Sequence, residues 1–261
     1  MKNETELIEG IQEYWTIRSE SYSEQNLQEM NNWKRNAWRE KILGEAPVKK
    51  RLDILDIGTG PGFFAINLAL AGHHVTAVDV TEEMLNHARQ NAKAYGTQVE
   101  FCLNNGDSLP FEDESFDLIV NRNVIWNLER PERAFKEGIR VLRPGGRMVY
   151  FDANWYLYLY DQKVAEEKKR FMEEMKESMP EAEQHTEKMP EEKLHMLEDI
   201  ARSLPMSKVH RPAWDIQILE SLGMKILKVE EDIGEDVLDM RERMEYRANP
   251  MFMVCAEKPE L

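Results

Sequence analysis

The segment Leu55-Asp56-Ile57-Gly58-Thr59-Gly60-Pro61-Gly62 limits what this chain can fold into more than any other stretch. It runs from an apolar strand-like segment through three alternating glycines into a helical pattern. Glycine reaches φ > 0 at little cost and lets the backbone lie against a ligand with no Cβ between them. A dinucleotide loop reads G-x-G-x-x-G, which would put its third glycine at 63, where this chain has Phe63. The spacing instead suits a ligand that places no pyrophosphate at the helix N-terminus.

A strand–glycine loop–helix unit implies a parallel sheet, and the flanking sequence supplies one. Short β-branched runs at 52–57, 74–80, 99–103, 116–121 and 146–152 alternate with helical stretches at about 62–71, 82–95 and 131–142. Gly72, Gly96 and Pro144-Gly145-Gly146 follow the three helices as stops. Two more strands, 224–230 and 251–257, close the chain after a helix at about 212–222 that ends at Gly223. No apolar crossover helix separates them, so they form an antiparallel, hairpin-like pair at a sheet edge. The expected fold is α/β and doubly wound, with a mostly parallel, seven-stranded sheet.

Two regions stand outside the repeat. Residues 1–48 read as a helical N-terminal cap rich in aromatics, and 155–211 as a helical insertion between strands 5 and 6. The core is then 49–154 with 212–261. The insertion is dense in Glu, Lys and Met and is broken by Pro180, Pro190 and Pro205. It reads as a solvated helical pair packed on the body, or as a lid, since long insertions at the ligand edge of such sheets often close over ligand.

Charge and composition remove several functions. The 261 residues carry a net charge of −15 with no basic patch, which argues against nucleic acid. The longest apolar stretch, 63–71, is interrupted by Asn67 and is far short of the roughly 20 residues that span a bilayer. The first ten residues resemble neither a secretory signal nor a basic transit peptide, so a cytoplasmic location is expected. Cys102 and Cys255 form no CxxC pair and read as buried small hydrophobes; no metal is expected.

Asp79 supplies the second element of a site. It ends the second strand, where a carboxylate can accept from both hydroxyls of a ribose. Asn105, Asn121 and Asp152 also fall at carboxyl ends of strands, the edge at which open α/β sheets bind ligands.

These residues resemble a class I S-adenosylmethionine-dependent methyltransferase of the small-molecule type. The resemblance rests on Tyr14-Trp15 with Tyr22, LDIGTGPG at 55–62, Val78-Asp79, Asn105 to Phe111, FDLIV at 116–120 and RVLRPGG at 140–146. It implies a Rossmann-like sheet of order 3-2-1-4-5-7-6, with S-adenosylmethionine as cofactor and S-adenosylhomocysteine as product. Gly58, Gly60 and Gly62 would pass under the methionine part, Asp56 would orient its ammonium group, and Tyr22 would join them from the cap. Asp79 would bind the ribose, while Val80 and Met84 would pack on the adenine. The family usually places an acid four residues before its Leu-Pro-Phe; here that position is Asn105, so the adenine amino group falls to Asn105 or, in a shifted loop with Gly106, to Asp107. Asn121 would lie beside the cofactor.

The acceptor side follows strands four and five. Tyr14, Arg122, Asn123, Trp126 and Trp155 are the expected substrate contacts, and Asp152, Asn154 and Tyr156 the catalytic candidates, with Asp152 as base or orienting group. Trp155-Tyr156-x-Tyr158-x-Tyr160 alternates like a strand and offers either core packing or an aromatic wall. The histidines, including His185 in the insertion, are weak candidates. Asn121-Arg122-Asn123 lacks the Asn/Asp-Pro-Pro-Tyr/Phe element of amino-type nucleic-acid methyltransferases. What remains is methyl transfer to an O, N, S or C atom of a small molecule; the alternative is a non-catalytic module that binds the cofactor or its product. A homodimer is compatible with either.

Overall fold

The computed structural model describes residues 4–178 and 195–260. Seven strands form one sheet: β1 (Asp53–Ile57), β2 (His74–Asp79), β3 (Glu100–Leu103), β4 (Phe116–Arg122), β5 (Leu142–Asp152), β6 (Lys225–Glu230) and β7 (Phe252–Glu257). Their order is β3-β2-β1-β4-β5-β7-β6, and β7 runs antiparallel to both its neighbours. Strand order, antiparallel edge and class all agree with the expectation from sequence.

Alternation along the strands builds two apolar layers, one on each face. Ile54, Leu118, Val120, Val149, Phe151 and Met253 enter one layer, while Leu55, Ile119, Met148, Tyr150 and Val254 enter the other. A sheet buried on both faces reads as continuous apolar runs, which is why these strands were legible. Helices α2 (Lys34–Gly44) and α3 (Phe63–Leu70) cover the first face through Trp38, Ile42 and Phe64. Helix α5 (Pro131–Val141), helix α8 (Ala213–Ser221) and the end of the insertion cover the second through Phe135, Leu219 and Leu204.

The 27-residue helix α1 (Glu4–Met30) joins the two layers. Its Leu7, Ile11 and Tyr14, at helical spacing, pack with the second layer, and its Met30 packs with the first. It also packs against α4 (Glu82–Ala94), which follows β2. α1 therefore supplies side chains to the carboxyl edge of the sheet.

Three details depart from the sequence reading. Strand β5 starts at Leu142, before the Pro-Gly-Gly, because Leu142 pairs with Phe116 and an irregularity absorbs the glycines. The β6–β7 connection holds two short helices, α9 (Gly234–Val237) and α10 (Met240–Tyr246), rather than a plain hairpin loop. Residues 157–159 form a 3₁₀ turn, so the aromatic run does not continue β5 as a strand. The insertion continues with α6 (Gln162–Ser178) and α7 (Met196–Ala201). Pro180, His185 and Pro190 lie outside the described residues. Among the described residues no helix is long and apolar enough to cross a membrane.

Candidate active site

The glycine loop takes the backbone its sequence demands. Gly58 and Gly60 have φ of +66° and +54°, and a Cβ on Gly58 would overlap the side chain of Val124. The loop is held from beside it: Asp79 Oδ2 accepts from Gly60 N at 2.8 Å, and Asp79 Oδ1 accepts from Thr81 N at 2.9 Å. Asp56 Oδ2 accepts from Thr59 Oγ1 at 2.6 Å and from Ala65 N at 3.1 Å, tying the loop to the first turn of α3. Burial raises both carboxyls above the usual 3.8, Asp56 to about 7 and Asp79 to about 6, against the hydrogen bonds that favour the anion.

Above this loop lies a cleft of about 910 Å³, its open mouth included. Of the expected cofactor residues, Tyr22, Gly58, Gly60, Asp79, Val80, Met84, Asn105 and Asp107 line it. Asp56 lines a small adjoining pocket with Tyr22, Thr59 and Arg122. Gly62, Gly106 and Asn121 line neither; Gly62 instead caps α3 with φ +93°, and Asn121 is buried within β4. Asn105 Oδ1 accepts from Asp107 N at 3.1 Å, which commits that oxygen to its own turn. The Asp107 carboxylate meets Arg130 at 3.3 Å, and burial raises its pKa, as it does that of neighbouring Glu129.

A second cavity of about 1190 Å³ adjoins the cleft and shares Trp15, Tyr22, Arg122 and Asn123 with it. The five expected substrate residues, Tyr14, Arg122, Asn123, Trp126 and Trp155, all line this cavity, as does Tyr156. Its walls include two aromatic pairs, Trp126 with Tyr156 at 5.4 Å and Trp155 with Tyr246 at 5.1 Å between ring centroids. Sequence reading missed Glu29, Lys34, Trp38, Glu242 and Tyr246, which line it from α1, α2 and α10. The Asp239-x-x-Glu242 capping box of α10 was the one local signal for that last helix.

Two ion-paired groups lie in the cavity wall. Arg122 Nη1 donates to Glu29 Oε2 at 2.8 Å, and the guanidinium carbon lies 4.8 to 5.3 Å from the ring centroids of Phe63, Trp38 and Phe64. Burial opposes the Arg122 charge, but Glu29 and nearby phenols more than offset it, so the group stays cationic. Lys34 bridges Asp239 at 2.9 Å and Glu242 at 2.5 Å.

Two catalytic candidates are not brought to either cavity. Asp152 is fully buried, and its carboxylate is taken up by four donors: Trp126 N (3.0 Å), Arg211 Nη1 (2.6 Å), Ala153 N (2.9 Å) and Trp155 Nε1 (3.2 Å). A carboxylate so occupied directs no free lone pair at either cavity. Asn154 exchanges two hydrogen bonds with the backbone of Arg211. Tyr158 and Tyr160 also turn away, donating to Glu198 at 3.0 Å and to the carbonyl of Arg202 at 2.6 Å. Among the described residues no group of His, Cys, Asp and Glu is placed to hold a metal.

Sheet order, positive-φ glycine loop and strand-end Asp79 together define the class I methyltransferase fold. Comparison with known proteins agrees. Residues 55–150 match a family described as a methyltransferase domain. Over 119 residues, 44% of this chain, it is 34% identical to a ubiquinone/menaquinone biosynthesis C-methyltransferase of Roseobacter denitrificans, and the match covers 48% of that protein. It is 40% identical over 114 residues to a malonyl-[acyl-carrier protein] O-methyltransferase of Erwinia pyrifoliae, covering 42% of this chain and 41% of that one. The chain thus spans less than half the length of these relatives. Among solved structures, a SAM-dependent methyltransferase from Aquifex aeolicus superposes with a TM-score of 0.54 at 22% identity, covering 90% of this chain and 97% of that one. Residues 55–150 thus match a methyltransferase domain, and the chain has the class I methyltransferase fold.

Proposed function

We propose that this chain is an S-adenosylmethionine-dependent methyltransferase acting on a small-molecule acceptor. The observation that carries the reading is the junction of two cavities across Trp15, Tyr22, Arg122 and Asn123, one floored by the glycine loop and the other walled by aromatic rings. A module that only bound the cofactor would need no second cavity.

The cleft suits the cofactor on three counts. Asp79 presents a carboxylate to ribose hydroxyls, the glycine loop leaves room for the methionine chain, and Val80 and Met84 offer an apolar face to the adenine. The buried oxygens Asn123 Oδ1, Asn127 Oδ1 and Glu129 Oε2 lack hydrogen-bond partners and line the same cleft, so it holds acceptors suited to a ligand rich in N–H and O–H donors. With the Asn105 oxygen committed to its turn, Asp107 is the better placed partner for the adenine amino group.

S-adenosylmethionine, when bound, supplies an activated methyl group for in-line displacement by the acceptor's lone pair. The chain's own contribution is alignment and exclusion of water; alignment of this kind can lower a barrier by roughly 7–11 kcal/mol. The cavity's two carboxylates, Glu29 and Glu242, are held in ion pairs. An acceptor whose lone pair is already available at neutral pH fits such a cavity, because it requires no base. The C- and O-methyltransferase names of the relatives are compatible with this reading. The test is radiolabelled methyl transfer from S-adenosylmethionine to a panel of planar thiols, acidic phenols and amines. Transfer to one of these classes supports the reading, and saturable cofactor binding with no transfer to any of them favours the binding module.

A further inference from the structure

Three fully buried charged side chains lie just outside the acceptor cavity. Arg211, where the insertion returns to the core, reaches Asp152 at the end of β5 through Nη1 at 2.6 Å. Its Nε and Nη2 close on Asp215 of α8 at 2.9 and 2.8 Å. None of the three has exposed side-chain surface, and none lines the cleft, the aromatic cavity or the small pocket beside them. The guanidinium also lies 5.1 Å from the ring centroid of Phe252 in β7.

The remaining contacts of Asp152 give this cluster a role. Oδ1 accepts from the indole Nε1 of Trp155, and Oδ2 accepts from the backbone N of Trp126. Both tryptophans are cavity walls, and each packs against a tyrosine wall, Trp126 tilted against Tyr156 and Trp155 edge to face with Tyr246. One carboxylate thus holds the indole of Trp155 and the backbone of Trp126, whose own indole Nε1 donates to the carbonyl of Asn123 at 2.9 Å. Arg211 is in turn gripped through its backbone by Asn154, which immediately precedes Trp155.

We propose that Asp152 and Arg211 are positioning residues that set the tryptophan walls of the acceptor cavity and couple them to the returning end of the insertion. The term acceptor cavity rests on the methyltransferase reading; the coupling itself does not. A buried ion pair is often no more stabilising than an apolar replacement, whereas removing one partner leaves an uncompensated charge. Retention of three charges in a dry position is accounted for by their geometric role, since only a carboxylate can accept from Arg211, from an indole N–H and from two backbone amides at once.

The test uses the full chain labelled with 5-fluorotryptophan and observed by fluorine NMR, with Trp126→Phe and Trp155→Phe assigning two of the six resonances. Asp152→Asn keeps the shape but replaces an acceptor oxygen with a donor, and it is expected to shift or split the Trp126 and Trp155 resonances. The Trp33 and Trp38 resonances stay in place. S-adenosylhomocysteine affinity, measured on the same samples, changes by less than about twofold, because the cleft does not touch the cluster. Arg211→Lys, which keeps the buried charge, should give a smaller shift of the same two resonances. Unmoved Trp126 and Trp155 resonances, or a uniform shift of all six, would overturn the proposal. So would unfolding of both variants, since the cluster would then determine the fold and not the walls. If the wild-type chain bound no S-adenosylhomocysteine, the functional reading would fail while the tryptophan shifts still tested the coupling.

Discussion

The cleft over the glycine loop and the aromatic cavity beside it share four residues, yet they are built in opposite ways. The floor of the cleft comes from consecutive β–loop units between Ile57 and Glu129, joined from α1 by Ile8, Ile11, Trp15 and Tyr22. The cavity draws its walls from α1, α2, the turn after β4, the start of the insertion, and the β6–β7 connection as far as Met251. The matched methyltransferase domain, 55–150, contains most of the cleft and only Arg122, Asn123 and Trp126 of the cavity. The cleft is local in sequence; the aromatic cavity is assembled from distant segments.

The electrostatics differ in the same way. Asp79 in the cleft and Asp56 in the small pocket beside it are buried acids with no cationic partner among their hydrogen bonds, held by backbone amides and a hydroxyl. The cavity wall instead holds two ion pairs, Arg122 with Glu29 and Lys34 with Glu242. Cleft substitutions should therefore act on ligand affinity, and cavity ion-pair substitutions on stability.

The largest effect expected from this contrast is at Glu29. Its pair with Arg122 is close to fully buried on both sides, at 10% and 12% side-chain exposure. Glu29→Ala leaves that guanidinium uncompensated and should cost roughly 3–5 kcal/mol in urea unfolding; an unchanged midpoint would show that the pair is hydrated and the contrast false. Next is Asp79→Ala, which removes charge-assisted hydrogen bonds worth roughly 1.5–3 kcal/mol each. S-adenosylhomocysteine affinity should fall at least about tenfold by calorimetry, and retained affinity would remove the ribose assignment.

A smaller effect is pH dependence confined to the cleft. Both folded-state values, about 7 and about 6, lie above the usual 3.8, so the folded, ligand-free chain binds more protons than the unfolded one between them. That contribution to stability is complete below about pH 4 and is lost as pH rises through 6 and 7. On the proposed ribose role of Asp79, ligand affinity should run the other way, because ribose hydroxyls would donate to the ionised carboxylate. Thermal melts with and without S-adenosylhomocysteine, from about pH 5 to about pH 8, should show the ligand-induced shift growing with pH, and Asp79→Asn should flatten it. The smallest effect is at Tyr156, where Phe should leave cofactor affinity within about twofold; a larger loss would mean that the two sites are not separable.

What the sequence made legible follows this division. Strands buried on both faces, glycines that need positive φ and an acid at a strand end are local signals, and they located the sheet and the cleft before any coordinates. Arg122, Trp126 and Trp155 were also found as cavity residues, because each follows closely on a strand end. Asp152 reads as base or orienting group for that same reason, but its partner Arg211 is 59 residues away, and no local pattern shows that the two meet. Asn105 stood where the family carries an acid, yet its oxygen closes an Asx turn onto Asp107, a competition that spacing alone does not resolve. Tyr158 and Tyr160 alternate as a strand would, but the 3₁₀ turn at 157–159 directs them to Glu198 and Arg202. Tyr246 and Glu242 lay beyond reach because the β6–β7 connection gave no apolar periodicity.

The central claim is that the cleft is built for S-adenosylmethionine. It is tested most directly by calorimetric titration of the purified chain with S-adenosylmethionine, S-adenosylhomocysteine and NAD in parallel. The expected result is saturable binding of the first two and none of the third. Binding of NAD, or failure of both adenosyl ligands with the chain folded, would contradict it.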